Sequence, residues 1–179
     1  MNMPLPEPLY VTSLDEIFWA GTLMAITMTM HGFGMLAVLR VNFALKDWIG
    51  TKAGLLFGIF PLIIASWMIM VVHLLEVAVW AAFFIWKGAF ANGSISYYFS
   101  LNEYTTVGSN FNLPVHWRLL EGMIATTGLL TFAWSTGILL TLAQEFQDQR
   151  MRVLRQRHQP GPSQLTPAPD HASDKSGEG

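Results

Sequence analysis

The chain contains no cysteine. That absence excludes a disulfide framework, thiolate chemistry and the usual cysteine-built zinc sites, and it leaves the redox compartment unreadable. Charge is also scarce: only 12% of the 179 residues are charged, and 10 Lys+Arg nearly balance 12 Asp+Glu. Nothing in that balance resembles a basic nucleic-acid-binding face, so no nucleic-acid partner is expected. The N-terminal tail has no Lys or Arg before the first apolar run. A cleaved signal peptide needs a basic leader there, so the first apolar segment is read as retained. No internal repeat is present, which removes support for a transporter made of duplicated halves. No HExxH, phosphate loop or nucleophile with a nearby base occurs either, so no catalytic residue is expected and the chain is read as not an enzyme.

Apolar residues make up 52% of the chain, a proportion that suits a bilayer better than water. Residues 17–39 hold no Asp, Glu, Lys or Arg. As a helix they would reach about 34 Å, enough for a hydrocarbon core of roughly 30 Å. Residues 53–86 carry Glu76 as their only charge, and at about 51 Å they exceed one bilayer. Tilt, a projecting end or a kink at Pro61 would absorb the excess. A third span runs from about Leu119 to Ala143, inside an inner helix placed at 118–146, with Glu121 near its outer end.

Arg40, Lys46 and Lys52 follow the first span, and Arg150, Arg152, Arg155 and Arg157 follow the third. The positive-inside rule then puts the N-terminus outside and the C-terminus in the cytoplasm. The expected order is an extracytoplasmic tail (1–16), a first transmembrane helix (17–39), a cytoplasmic loop (40–52), a pore module (53–150) and a disordered cytoplasmic tail (151–179). Disorder is argued from the Pro, Ser and Gly content from Gln159 onward.

The segment between Trp86 and Trp117 is the informative one. Asn92 or Ser94 can cap a helix over 94–104, which is too short to span. The chain then breaks at TTVGSN, residues 105–110. A short helix followed by irregular backbone at membrane depth is tolerated only beside protein or a water-filled cavity. The helix's carboxyl end carries partial negative charge that favours a cation, and the carbonyls of Thr105, Thr106, Val107 and Gly108 come next.

YFSLNEYTTVGSNFNLP followed by WRLLEG resembles the pore module of the potassium-channel-like pore-loop superfamily, in particular its small bacterial ion-channel proteins, whose loop reads TTLGYGD or TTVGYGD. The likeness covers roughly residues 70 to 145. It implies an all-α membrane protein with three transmembrane helices and a re-entrant pore helix and filter loop between the second and third. It also implies a homotetramer in a bacterial inner (plasma) membrane, with Thr105, Thr106, Val107, Gly108, Ser109 and Asn110 as selectivity filter. Four loops would then surround monovalent cations such as K+ or Na+, with membrane lipid outside and no other cofactor. The chain departs from the family at Ser109-Asn110, where Tyr-Gly is usual, and at Phe111, where an acid is usual. Asn110 is expected to make the left-handed turn. Ser109 lacks the aromatic brace behind the filter, so discrimination between potassium and sodium is expected to be weak.

His73 and Glu76 are three apart on one helix face within the apolar run. Three readings stay open: a hydrogen-bonded packing pair, a proton-sensing gate, or a metal site completed by His31 on the first helix. The last carries the alternative function, a non-conducting membrane metal-binding or sensing protein. Glu103 either hydrogen-bonds behind the filter or ends the pore helix. Arg118 and Glu121 suggest a solvated ion pair. Gly54 and Gly58 suggest close helix packing, and Gly122, Gly128 and Gly137 suggest gating bends or packing on the last span. Glu145 and Asp148 would either concentrate cations or form a solvated helix end. Trp19, Trp48, Trp86 and Trp117 are expected at the membrane interfaces.

Overall fold

The computed structural model describes residues 10–49 and 55–158. Among these residues there is no strand, and the elements are α1 (Leu14–Ile49), α2 (Leu55–Trp86), α3 (Gly93–Tyr104), a 3-10 turn (Val115–Trp117) and α4 (Leu119–His158). Three helices are long and apolar enough to cross a membrane, spanning Leu14–Ile49, Ile59–Trp86 and Val115–Arg152. The chain is therefore an all-α protein of membrane type, and α3 is the short helix between the second and third of these.

Local signals set the helix starts. Ser13 and Glu16 form a reciprocal cap on α1: the Glu16 N–H donates to Ser13 Oγ at 3.1 Å, and the Ser13 N–H faces Glu16 Oε2 at 3.4 Å. The same buried carboxylate accepts the Leu119 N–H at 2.6 Å, so Glu16 also caps the start of α4. One acid thus ties two helix N-termini together, where the positive ends of the dipoles favour it. Lys87 lies nearby, with Nζ 4.1 Å from the Trp19 ring centre, 4.6 Å from Trp86 and 5.5 Å from Trp117. These three tryptophans, expected singly at an interface, gather around one ammonium group at one end of the bundle. Trp48, 82% exposed, lies toward the other end.

The helices outrun their expected limits. Residues 40–49, expected as loop, continue α1, and Lys46 Nζ reaches Glu145 Oε2 at 2.8 Å across to α4. Glu145 therefore serves a contact between helices. Charge ends an apolar span without ending the hydrogen-bonded helix beneath it, which is why hydropathy alone stopped α1 too early. Residues 147–158 extend α4 beyond the expected end at 146, so 151–158, expected disordered, are helical. Arg155 lies in the last turn, where its charge suits the negative end of the helix dipole. The expected N-terminal tail, 1–16, is helical from Leu14; its residues 1–9, the tail from Gln159, Lys52 and Gly54 of the Gly54/Gly58 spacing lie outside the described residues. Pro61 lies inside α2.

Two apolar clusters hold the bundle. One is rich in aromatics, including Trp80, Phe84, Phe99 and Trp117; the other joins Met35, Val38, Ala65, Ile69 and Leu142. On each of α1, α2 and α4, the residues between these clusters include buried polar ones. Close backbone approach is required at Gly128, where an added Cβ would lie 1.9 Å from the Tyr104 carbonyl oxygen. That contact seats the end of α3 on α4, so packing accounts for Gly128. Gly122 and Gly137 have nothing within 4 Å of an added Cβ.

Candidate functional site

The first candidate region begins where α3 ends. Asn92 caps its start, its Oδ1 accepting the Ser94 N–H at 2.8 Å, and the helix breaks after Tyr104. The Val107 N–H donates to the Asn102 carbonyl at 2.9 Å and the Thr106 N–H to Glu103 at 2.9 Å. This pair of bonds is a Schellman cap, which requires a left-handed residue at the position held by Thr106. Thr106 has φ 62°, and it is the one non-glycine residue with positive φ among the described residues. A β-branched residue there costs roughly 1–2 kcal/mol, so the surrounding contacts hold it against its preference. Gly108, at φ 81°, turns the chain again.

The left-handed turn expected at Asn110 is therefore made at Thr106 and Gly108 instead. Ser109 has a different part, its Oγ accepting the Phe111 N–H at 3.1 Å to close the loop. Thr105, Thr106, Val107 and Gly108 are all exposed in the single chain, and Val107 is 75% exposed. The last-turn carbonyls of Leu101, Asn102 and Glu103 are taken by N–H groups of the loop. Direct cation ligands would thus come from the loop backbone, with the helix acting through its dipole. The Glu103 carboxylate lies behind the loop, facing the Ser109 N–H; burial, and then the nearby Glu121, push its pKa up. Glu121 accepts the Leu113 N–H at 3.0 Å. No Arg118–Glu121 ion pair forms among the described residues, because Glu121 turns to the loop backbone instead.

The second region is a buried polar centre where all four helices meet. His31 from α1 and Glu76 from α2 are fully buried, and His31 Nδ1 lies 2.8 Å from Glu76 Oε1. His73 Nδ1 is 3.6 Å from Glu76 Oε2 and 2.8 Å from the Tyr104 hydroxyl. That hydroxyl, at the end of α3, donates to Glu76 Oε2 and meets Thr131 Oγ1 of α4 at 2.5 Å. Ser135 Oγ completes the group, 3.0 Å from His73 Nε2 and 3.3 Å from His31 Nε2.

The structure therefore brings together His31, His73 and Glu76, whose ligand atoms lie within 4.8 Å of one another. It adds Tyr104, Thr131 and Ser135, which the sequence did not single out. Their signal was faint, since Ser and Thr on apolar helices ordinarily bond the carbonyl one turn back, as Ser135 does to Thr131 at 2.9 Å. The two regions adjoin, because Tyr104 immediately precedes Thr105. A cavity of about 320 Å³ touches both, with His73, Tyr104, Thr105 and Ser135 in its wall. Chemically, the loop offers backbone oxygens to a cation, and the centre offers nitrogen and oxygen donors to a metal ion or a proton.

Against known proteins, the chain matches no family model, no curated protein and no solved structure.

Proposed function

We propose that the chain forms a homotetrameric cation channel whose filter is the loop Thr105–Asn110, passing monovalent cations, potassium or with weak selectivity. The observation that carries this is the loop itself. A strained, left-handed Thr106 and an exposed Val107 project from the end of a short helix seated on its own bundle. Backbone strain at such a site costs free energy that a plain connection would avoid. Four copies around an axis would give each cation carbonyl oxygens in place of water.

In this arrangement α3 and its loop enter the membrane partway from the outside and return through FNLP. Irregular backbone at that depth is tolerated because protein and a wet pore surround it. Arg40 and Lys46 in the last part of α1 and the arginines along the end of α4 support a reading in which those ends face the cytoplasm of a bacterial inner membrane, with the N-terminus outside. Serine at position 109 lacks an aromatic brace, so the filter discriminates weakly between potassium and sodium.

Purified protein in liposomes tests this: four-fold particles with cation flux, and a bi-ionic reversal potential near zero between K+ and Na+, are expected. Strong potassium preference would contradict the weak filter, and absence of both flux and four-fold assembly would contradict the channel. The convergence of His31, His73 and Glu76 favours a second reading, a metal-binding sensor that does not conduct. It predicts metal uptake by monomers or dimers without flux.

A further inference from the structure

We infer that the buried centre is a divalent transition-metal site of zinc type, in which His31 Nδ1, His73 Nδ1 and Glu76 are ligands, the Tyr104 oxygen completes the set, and Ser135 holds both imidazoles from behind. The inference goes beyond the channel reading and does not depend on conduction.

Counting protons leads to it. When each ring carries one proton, the geometry puts it on Nδ1, facing an oxygen: His31 toward Glu76 at 2.8 Å, His73 toward Tyr104 at 2.8 Å. Each Nε2 is then a bare acceptor. Both point at Ser135 Oγ, from 3.3 and 3.0 Å, and that hydroxyl also lies 2.9 Å from the Thr131 carbonyl. One hydroxyl proton faces three acceptors. At least one buried imidazole nitrogen is left without a donor, a situation that costs about 1–3 kcal/mol.

A metal ion on the Nδ1 side removes the conflict. Each imidazole then carries its proton on Nε2 and donates it to Ser135 Oγ, which accepts both with its two lone pairs. The Ser135 proton goes to the Thr131 carbonyl, and the Tyr104 hydroxyl donates to Glu76 Oε2. Every polar atom of the centre is then matched. Metal-bound histidines characteristically donate their second ring N–H in this way.

The donors are close enough to converge on one ion. Donors around a tetrahedral zinc ion, at about 2.0–2.2 Å from it, lie roughly 3.3 Å from one another. Here one ligand atom each from His31, His73 and Glu76 lies within 4.8 Å of the others, and small shifts away from the present hydrogen-bond distances would admit the ion. Two imidazoles and one carboxylate, with no thiolate, form a donor set suited to Zn2+ or Co2+ rather than to Mg2+ or Ca2+. His73, Tyr104 and Ser135 also line the cavity of about 320 Å³, which gives an ion a route to an otherwise closed centre.

Such a site would clamp α1 and α2 to the residue immediately before Thr105. The metal thus fixes the base of the loop from within one subunit.

The test uses the full chain in detergent, stripped with a chelator and titrated with Co2+. The expected result is uptake of about one ion per chain with the intense visible bands of a tetrahedral site. Those bands should vanish in Glu76→Gln and in His73→Asn, and Ser135→Ala should weaken affinity about 10- to 100-fold while keeping them. Wild-type uptake no greater than that of Glu76→Gln overturns the inference, as does a wild-type chain that binds no Co2+ and holds only a shared proton. The wild-type titration decides by itself if a variant fails to fold. Metal uptake and liposome flux are separate readouts, so either proposal can fail without the other.

Discussion

The loop at Thr105–Asn110 and the centre around Glu76 lie next to each other and are built on opposite terms. The loop is backbone, exposed and strained, and nothing in one chain covers Val107. The centre is side chains, buried and cross-linked, drawing on all four helices of a single chain. One region is enclosed by the chain's own helices; the other is left uncovered by them. The contrast separates what stabilises this fold from what the fold presents. Damage to the centre should act on folding in any oligomeric state, whereas damage to the loop should act on function with little effect on folding.

The sharpest way to break that contrast is Glu76→Ala. It strands His31, His73 and the Tyr104 hydroxyl in a buried site, and each buried group left without its partner costs about 1–3 kcal/mol. Thermal unfolding in detergent should show a large drop whether or not the chain is assembled. Next comes Gly128→Ala, whose methyl group would meet the Tyr104 carbonyl at 1.9 Å. Overpacking of this kind costs about 1–3 kcal/mol, and it should lower stability and flux together because it displaces the end of α3. If flux fell and the melting temperature did not, Gly128 would be acting as a hinge.

Thr106→Gly is expected to behave in the opposite sense. Glycine in an ordinary helix costs about 1 kcal/mol, but at φ 62° it relieves strain, so the melting temperature should hold or rise while flux falls. A clear loss of stability would show that Thr106 is not strained. The smallest effect concerns Glu103. Its pKa is raised in the folded chain, so the folded state holds the proton more tightly than the unfolded one. Stability from this group is therefore present at low pH and lost as pH rises from the ordinary carboxylate range through the raised value. Glu103→Gln should flatten that part of the stability profile, as read by melting across a pH series.

Much of the helical framework was legible in the sequence because charge is so sparse. Apolar runs around residues 17–39, 53–86 and 119–143 each coincide with a long helix, and Asn92 marks the start of α3. The helix ends were less legible. Arg40 and Lys46 continue α1, since a helix leaving a hydrophobic layer keeps its hydrogen bonds as long as a neighbour such as Glu145 supports it. His73 and Glu76 were readable from their spacing, while His31 needed its depth relative to α2, which no local pattern supplies. Tyr104, Thr131 and Ser135 were hidden for a related reason. Tyrosine in an aromatic helix and hydroxyls on an apolar one are ordinary until three other helices converge on them. The left-handed residue was misplaced to Asn110 because propensity favours Asn, whereas the geometry of the α3 cap imposed it on Thr106.

The central claim, that the exposed loop becomes the wall of a shared pore, can be tested through the chain's lack of cysteine. Ser109→Cys introduces a single thiol in place of a hydroxyl of similar shape. K+ flux through liposomes carrying this variant should stop on adding a membrane-impermeant thiol reagent, with oxidation linking chains in pairs, while the cysteine-free wild type is unaffected. Modification of the thiol with no change in flux would place the loop away from any ion path and contradict the account.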